Sequence, residues 1–367
     1  MKDKILIWFI KNVLIPNIEI IDNAGFILAV SPFKKELKFR EVCIPECLIT
    51  EVENRIKNYF ILYSIGKNFT YLYGSLFQLP TYENKKFFRA FAEFFVSYIG
   101  TIYGNVKHKL DFSKKLLKLY LKNYIICSKN GLGYIFSEGG IAGIWAYACE
   151  DPSIEAIQIK CQGRGDKECE VIAAPYKTLV RMGYKPIRCK KLEKGKLTPE
   201  YKIFNEIRPT SWARNSLKSL IDAGFFDYKH GQVTYHRERF FLCETSFMYI
   251  LEKELRNIKN GLKILWDCSF DFGKRLAEIS GKQEPCKFIM DFFPALGFGD
   301  ILALKKKGRY EIFVKYFPWL EWYKDIDFTM FRGMLSGVIS GFTGEKVELK
   351  KVEKSVSSGY FSLFITQ

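Results

Sequence analysis

The strongest constraint on this chain is that its sequence runs through one pattern twice. GKNFTYLYG at 66–74 and GKRLAEISG at 273–281 share Gly-Lys at the start, Gly at the end, and apolar residues at the fourth and seventh places. Upstream, IDNAGF at 21–26 matches IDAGFF at 221–226, and each is followed by a strand-like and then a helix-like stretch, ITEVENRIKN and YILEKELRNI. Downstream, Glu93-Phe94-Phe95 matches Asp291-Phe292-Phe293. GGIAGIW at 139–145 then matches GMLSGVI at 333–339, which sets Gly139 and Gly143 against Gly333 and Gly337. Last, SIEAIQIKC and CEVI match KVELKKVEK and SLFI, so that Lys354 and Ser362 stand where the first copy has Cys161 and Cys169. Matches that recur in the same order mark a repeated supersecondary unit. A chain of 367 residues has room for about two domains. The reading is an N-terminal segment at 1–19, a first unit at 20–175, a basic linker at 176–219 and a second, diverged unit at 220–367.

Each unit mixes helical and strand periods. FFRAFAEFFVSYIG places Phe87, Phe91, Phe94, Phe95 and Tyr98 at helical spacing, while RYEIFVKYF alternates Tyr310, Ile312, Val314 and Tyr316 as a strand does. KKKG before the latter predicts a hairpin turn. FRGMLSGVISGF predicts a helix with Gly333, Gly337 and Gly341 on one face. Glycine costs about 1 kcal/mol inside a helix, so such a stripe implies that another element comes close. Helix followed by hairpin, with local connections, gives an α+β fold class: two similar units, each an antiparallel sheet packed against helices.

Composition narrows the setting. Apolar residues make up 48%, with 33 Phe and 21 Tyr, which excludes a disordered chain and supplies large cores. The net charge of +17 favours acidic partners such as nucleic acid or anionic lipid. Between 176 and 202 stand nine Lys or Arg and two Glu, a run that reads as a solvated linker, with a nucleic-acid contact as the alternative. ILIWFI at 5–10 is cut short by Lys11, with no small-residue cleavage site after it. No apolar run nears the ~20 residues of a membrane span. The ten cysteines lack a dense disulfide spacing, and the expected setting is the reducing cytoplasm.

No phosphate loop, dinucleotide fingerprint or His-Glu-x-x-His helix is present, and His108, His230 and His236 are scattered. Nothing local supports a Cys–His nucleophile pair. The one sharp motif is CQGRGDKEC at 161–169, a cysteine on each side of a Gly-Asp turn between two alternating runs. A metal clip, a disulfide and two buried thiols all remain open for Cys161 and Cys169.

With Gly139 and Gly143 in the preceding helix, and with Cys161, Gly165, Asp166 and Cys169 in the hairpin, the first unit resembles the end of the 4-vinyl reductase domain. That family includes archaeal hydrocarbon-binding proteins and the sensor domains of phenol-responsive activators, and its fold is related to Bet3-like vesicle-tethering subunits. Through the internal repeat the resemblance extends to the second unit. In metal-binding members the two hairpin cysteines ligate zinc with a glutamate three residues before the first and a cysteine further upstream. Here the glutamate position is Gln158, and the nearest upstream cysteines are Cys127 and Cys149. The resemblance therefore implies zinc at Cys161 and Cys169 without naming the remaining ligands. It also implies an apolar pocket between helices and sheet, for which Phe94, Phe95 and Trp145 in the first unit, and Phe292, Phe293, Trp319 and Trp322 in the second, are the candidates.

The expected function is non-enzymatic binding of a hydrophobic small molecule, as a sensor, carrier or assembly module. The alternatives are a protein-interaction scaffold, with two units in one chain acting as a covalent dimer or with a protein partner or homodimer, and a nucleic-acid-associated protein using its basic surface. An enzyme of tetrapyrrole reduction, suggested by the family's name alone, has no redox motif behind it.

Overall fold

The computed structural model describes residues 20–30, 36–81, 92, 96, 105–123, 135–189, 191–192, 194–195, 206–229, 232–318, 327–355 and 361–366. The fold class is the expected one, α+β, with antiparallel sheets packed against helices.

One order of elements occurs twice. In the first half a three-stranded meander, β1 (Ile20–Asn23), β2 (Phe26–Val30) and β3 (Lys38–Pro45), leads into helices α1 (Glu46–Ile56) and α2 (Tyr59–Leu76). A hairpin of β4 (Asn105–Asp111) and β5 (Leu116–Lys122) follows, then α3 (Ile135–Ala148), then a second hairpin of β6 (Ile154–Lys160) and β7 (Cys169–Pro175). Helices α4 (Tyr176–Arg181) and α5 (Leu217–Asp222) flank the basic segment. The second half has the meander β8 (Asp227–Lys229), β9 (Gln232–Tyr235) and β10 (Glu238–Glu244), then helices α6 (Ser246–Arg256), α7 (Gly261–Ile279) and α8 (Pro285–Ala295). It closes with the hairpin β11 (Asp300–Lys306) and β12 (Arg309–Lys315), helix α9 (Thr329–Thr343), and the hairpin β13 (Leu349–Ser355) and β14 (Phe361–Thr366). The position of α8 in the first half falls on residues around 92 and 96, where Ala92 and Val96 are helical and buried.

Three sheets result among the described residues. The two hairpins of each half join as β4-β5-β7-β6 and β11-β12-β14-β13, the same order in both. The two meanders fuse edge to edge into one six-stranded sheet, β1-β2-β3-β10-β9-β8. β3 and β10 pair antiparallel with Cys43 opposite Leu242 and Glu41 opposite Glu244, so the halves meet through a continuous hydrogen-bonded ladder.

Local chemistry sets these elements. β5 alternates Leu117, Leu119 and Leu121 inward with Lys118, Tyr120 and Lys122 outward, the period of a strand with one wet face. The β11–β12 turn is the two residues Lys307 (φ 49°) and Gly308 (φ 79°), the left-handed pair a tight hairpin requires. Glu284 caps α8 by accepting from the amide of Cys286 at 3.0 Å, with Pro285 at the first helical position.

The glycine stripes mark helix-on-helix contact. A Cβ on Gly66 of α2 would sit 2.0 Å from the carbonyl oxygen of Phe136 in α3, and one on Gly139 would sit 2.1 Å from that of Tyr63. In the second half a Cβ on Gly273 of α7 would sit 2.1 Å from the Met334 oxygen, and one on Gly337 the same distance from the Phe270 oxygen. These contacts correct the sequence alignment by one helical turn. Gly139 and Gly143 meet Tyr63 and Lys67 as Gly337 and Gly341 meet Phe270 and Lys274, so the structural partners are Gly337 and Gly341, not Gly333 and Gly337. A glycine every fourth residue on one face makes two registers look alike in sequence, and only the facing helix separates them.

Two further expectations change. IDNAGF lies in the β1–β2 hairpin, whereas IDAGFF ends α5 and precedes β8, so that match does not join equivalent elements. The basic segment is also no simple solvated linker. Cys189 is buried, its amide donating to Glu155 at 2.9 Å, and the amide of Gly195 donates to Ser75 Oγ at 2.8 Å. The amides of Ser211, Trp212 and Ala213 converge on the buried Asp300 carboxylate at 2.7, 2.9 and 2.7 Å. The segment is thus fastened to the first half near one end and to the second near the other.

Candidate functional site

The Cys161–Cys169 hairpin is built as a tight knuckle. The Cys161 oxygen accepts from the amides of Arg164 and Asp166 at 2.9 and 3.1 Å, while the Cys161 amide donates to Asp166 Oδ2 at 2.8 Å. Gly165, at φ 96°, supplies the left-handed corner. Gly and Asp therefore have turn-making work that explains their presence between the cysteines. Both cysteines are buried, and the Gln162 amide donates to Cys169 Sγ at 3.3 Å. Both end hairpins carry their irregularity at the same place, after Gln158 in β6 and after Lys351 in β13. This register puts Lys354 and Ser362 at the positions of Cys161 and Cys169.

A closed structural zinc site takes four ligands. Among the described residues no group of three or more His, Cys, Asp or Glu side chains could hold a metal ion. Among those residues the hairpin supplies the two thiols of Cys161 and Cys169, while Cys127, one of the two upstream cysteines, lies outside the described residues. At the position of the missing glutamate, the Gln158 amide donates to the carboxylate of Glu138 of α3. Burial pushes Glu138 up to about 7.

The aromatic candidates fall into two groups. Phe94, Phe95, Trp319 and Trp322 lie outside the described residues. Trp145 is buried in α3 with its indole N–H on the Lys115 oxygen at 2.9 Å. Phe292 and Phe293 sit inside a continuous aromatic core. Phe292 has Phe225, Phe226, Tyr235, Phe240, Phe288 and Phe293 around it at centroid distances of 5.0–6.1 Å. The sequence marked these rings as apolar lining, and their immediate neighbours are other rings of this chain.

The most organised polar feature lies on the seam between the halves. Arg40 of β3 is fully buried. Its Nη2 donates to the oxygens of Gly25, Gly297 and Tyr316 at 2.9, 3.3 and 3.0 Å, and its guanidinium lies 4.0 Å from the centre of the Phe26 ring. Burial lowers its pKa to about 9, so it remains a cation at neutral pH. Gly297 and Tyr316 belong to the other half, so this side chain ties the β1–β2 hairpin to the far side of the seam.

Arg239 of β10 mirrors it. Its Nη1 donates to the oxygen of Asn123 at 3.1 Å, and its Nε stands 3.4 Å from Glu46. Asn123 follows β5 as Tyr316 follows β12, and both are left-handed, at φ 54° and 58°. Each arginine thus crosses the seam to the carbonyl that ends the equivalent hairpin of the opposite half. Arg55 of α1 adds a contact to Asp271 of α7 at 2.9 Å, and Phe247 of α6 packs against Phe69 and Phe136 at 5.3 and 5.6 Å. Sequence reasoning missed these residues. The available signal was an arginine shortly before Cys in each meander end, FREVC and RFFLC, within otherwise apolar strands.

Two other buried polar groupings bear on the basic segment and the seam. Lys67 of α2 pairs with Glu155 of β6 at 2.8 Å, and its Nζ also donates to the oxygens of Pro152 and Cys189 at 3.3 and 3.0 Å. Tyr63 donates to the same Glu155 oxygen at 2.8 Å and accepts from the Ala156 amide at 2.8 Å. Every polar atom of this cluster works within the chain, as expected of a fastening for the basic segment. At the seam, Glu41 and Glu244 face each other across the ladder, both buried. Burial pushes Glu244 up to about 7, and burial beside Glu244 pushes Glu41 well above the usual carboxylate range.

No helix among the described residues is long and apolar enough to cross a membrane. Compared with known proteins, the chain matches no family model and no curated protein.

Proposed function

We propose that this chain is a non-enzymatic assembly module, a pair of like halves joined in one polypeptide so that a rigid two-sided body is presented to protein partners. The observation that carries the reading is the fused six-stranded sheet with its reciprocal arginines, Arg40 and Arg239. A seam made of a backbone ladder, two cross-bridging cations and crossed helix contacts fixes the halves at one separation. That fixity is what a scaffold needs and what a hinged enzyme or a clamp would lack. The buried cluster at Lys67 and Glu155 supports the non-catalytic reading, because its groups are already engaged by the chain itself.

The test is cross-linking followed by size-exclusion of the chain at native abundance from its own cells. The expected result is a complex of fixed stoichiometry that Arg40→Ala disperses, the variant's own fold being checked by circular dichroism. A chain that migrates alone under cross-linking, with the same profile for the variant, would overturn the reading.

A second reading is binding of a hydrophobic small molecule beside Trp145, whose buried indole with a satisfied N–H is the form an apolar lining takes. Native mass spectrometry of gently purified protein would show an added mass lost in Trp145→Ala. A bare mass, with no uptake of hydrophobic probes, would remove this reading.

A further inference from the structure

The outer face of the β4–β5 hairpin carries a basic platform that neither the seam nor the core uses. The hairpin register places Lys107 opposite Tyr120, Lys109 opposite Lys118 and Asn105 opposite Lys122. These residues share the face that points away from the core, since Leu117, Leu119 and Leu121 are the buried positions of β5. Lys107, Lys109 and Lys122 are exposed, and Lys118 and Tyr120 are half-buried. Tyr120 thus has Lys107 across from it in β4, Glu170 across from it in β7, and a lysine two residues away on either side along its own strand. Lys109 Nζ also stands 5.6 Å from its ring centre. Among the described residues none of the four lysines makes an ion pair, whereas the nearby Lys160 and Glu170 are bound to each other at 3.0 Å. The adjoining part of the same face is closed by Leu179 of α4 and by Tyr184, over Leu116, Ile157, Ile159, Ile172 and Ala174.

The fold does not require Lys107, Lys109 or Lys118; the position of Lys122 is a lysine in both halves, Lys315 in the second. The second half has the same hairpin in the same register, and there the positions of Lys107, Lys109, Lys118 and Tyr120 are taken by Leu302, Leu304, Glu311 and Phe313. One architecture therefore carries a basic face in one half and an apolar, partly acidic face in the other. A charge spread evenly by composition would not make that distinction.

We propose that the β4–β5 face binds single-stranded nucleic acid, with Tyr120 stacking on a base and Lys107, Lys109, Lys118 and Lys122 holding the flanking phosphates. Same-face residues along a strand lie about 7 Å apart, which lets neighbouring lysines meet successive phosphates of an extended strand. A sheet face that carries an aromatic ring among cationic side chains is a surface on which unpaired bases stack. A duplex hides its bases from such a ring. The chain's net charge of +17 adds long-range attraction.

The test is fluorescence anisotropy of a labelled 20-nucleotide oligo(U) against the full chain, over a range of salt. Binding is expected at low salt, with a log–log salt slope of about −3 if four phosphates are neutralised at about 0.7 each. Substituting Lys107, Lys109 and Lys118 together by Gln should cut affinity at least tenfold and make the slope about 2 shallower. Tyr120→Ala should cost about tenfold, and Tyr120→Phe should bind as the parent does. A control with Gln at the exposed Lys259, Lys282 and Lys346 removes the same charge elsewhere and should bind normally. Four results would overturn the proposal: no binding at low salt; equal loss in the control; no effect of Tyr120→Ala; or binding of duplex or anionic vesicles in preference to the single strand.

Discussion

Arg40 shows how one residue can decide the geometry of a whole molecule. Its three carbonyl partners come from a hairpin of the first half and from two loops of the second. Truncation to Ala leaves a hole and deprives two buried acceptors and one part-buried acceptor of that donor. Each buried unsatisfied group costs about 1–3 kcal/mol, so Arg40→Ala should lower urea stability by about 3–5 kcal/mol. Arg40→Lys should recover little, because an ammonium lacks the planar fork. Arg239→Ala, at a more open site with fewer partners, should cost about 1–2 kcal/mol. Equal and negligible losses for both would mean that the seam is held by the ladder alone. Glu244 gives a second prediction at this scale. Burial raises its folded pKa to about 7, above its ordinary value of 4.5. Its contribution to stability is therefore full below about 4.5 and is lost as pH rises through about 7, a loss of about 3 kcal/mol. Urea unfolding should show stability falling from pH 5 to pH 8. Glu244→Gln, which keeps an acceptor for the Ser246 amide, should make that fall shallower by about 3 kcal/mol, the buried Glu41 and Glu138 supplying the remainder, and be the more stable protein at pH 8. Neither residue was legible in the sequence. An arginine or glutamate in a strand reads as an outward position, and only the pairing of β3 with β10, distant in the chain, buries it.

At the scale of elements, periodicity was a good guide and register was not. Strand alternation around Ile312 and the turn at Lys307 and Gly308 could be read directly, because both depend on residues a few positions apart. The glycine face of α9 could be read as a close contact, yet its alignment with α3 was one turn off, since that depends on which carbonyl of α7 each glycine meets. The rings of Phe292 and Phe293 show the same limit: composition marks them as apolar, but only their neighbours show that other rings surround them. The helix contact is sharp enough to test. Gly273→Ala would drive a methyl group to 2.1 Å from the Met334 oxygen, so α7 and α9 must part. It should destabilise by at least about 3 kcal/mol, at the upper end of single substitutions. Gly308→Asn, at an open left-handed turn position with no neighbour near, should stay within about 1 kcal/mol of the parent. Thermal melts of the two variants would rank them, and the reverse order would refute the close packing of α7 on α9.

For the whole molecule the question is whether two like halves behave as one body. Fused repeats often melt separately when their shared surface is small and wet. Here the shared surface contains a five-pair strand register between β3 and β10, the arginine bridges of the buried Arg40 and the more open Arg239, and aromatic contacts from α6 onto α2 and α3. The basic segment adds ties at Glu155 in the first half and Asp300 in the second. Opening one half would expose the edge of β3 or β10 and strand the arginine that crosses from it, so partial unfolding carries most of the cost of complete unfolding. The chain should therefore melt in a single calorimetric transition, with the calorimetric enthalpy equal to the van't Hoff value. The stronger form of the test uses Gly273→Ala, whose lesion lies wholly in the second half. Hydrogen exchange should show amides of β5 and β7, in the first half, losing protection together with those of β12. If β5 and β7 keep their parental protection while β12 opens, the halves are independent domains on a tether. The seam would then be a contact between them and not the frame of a scaffold.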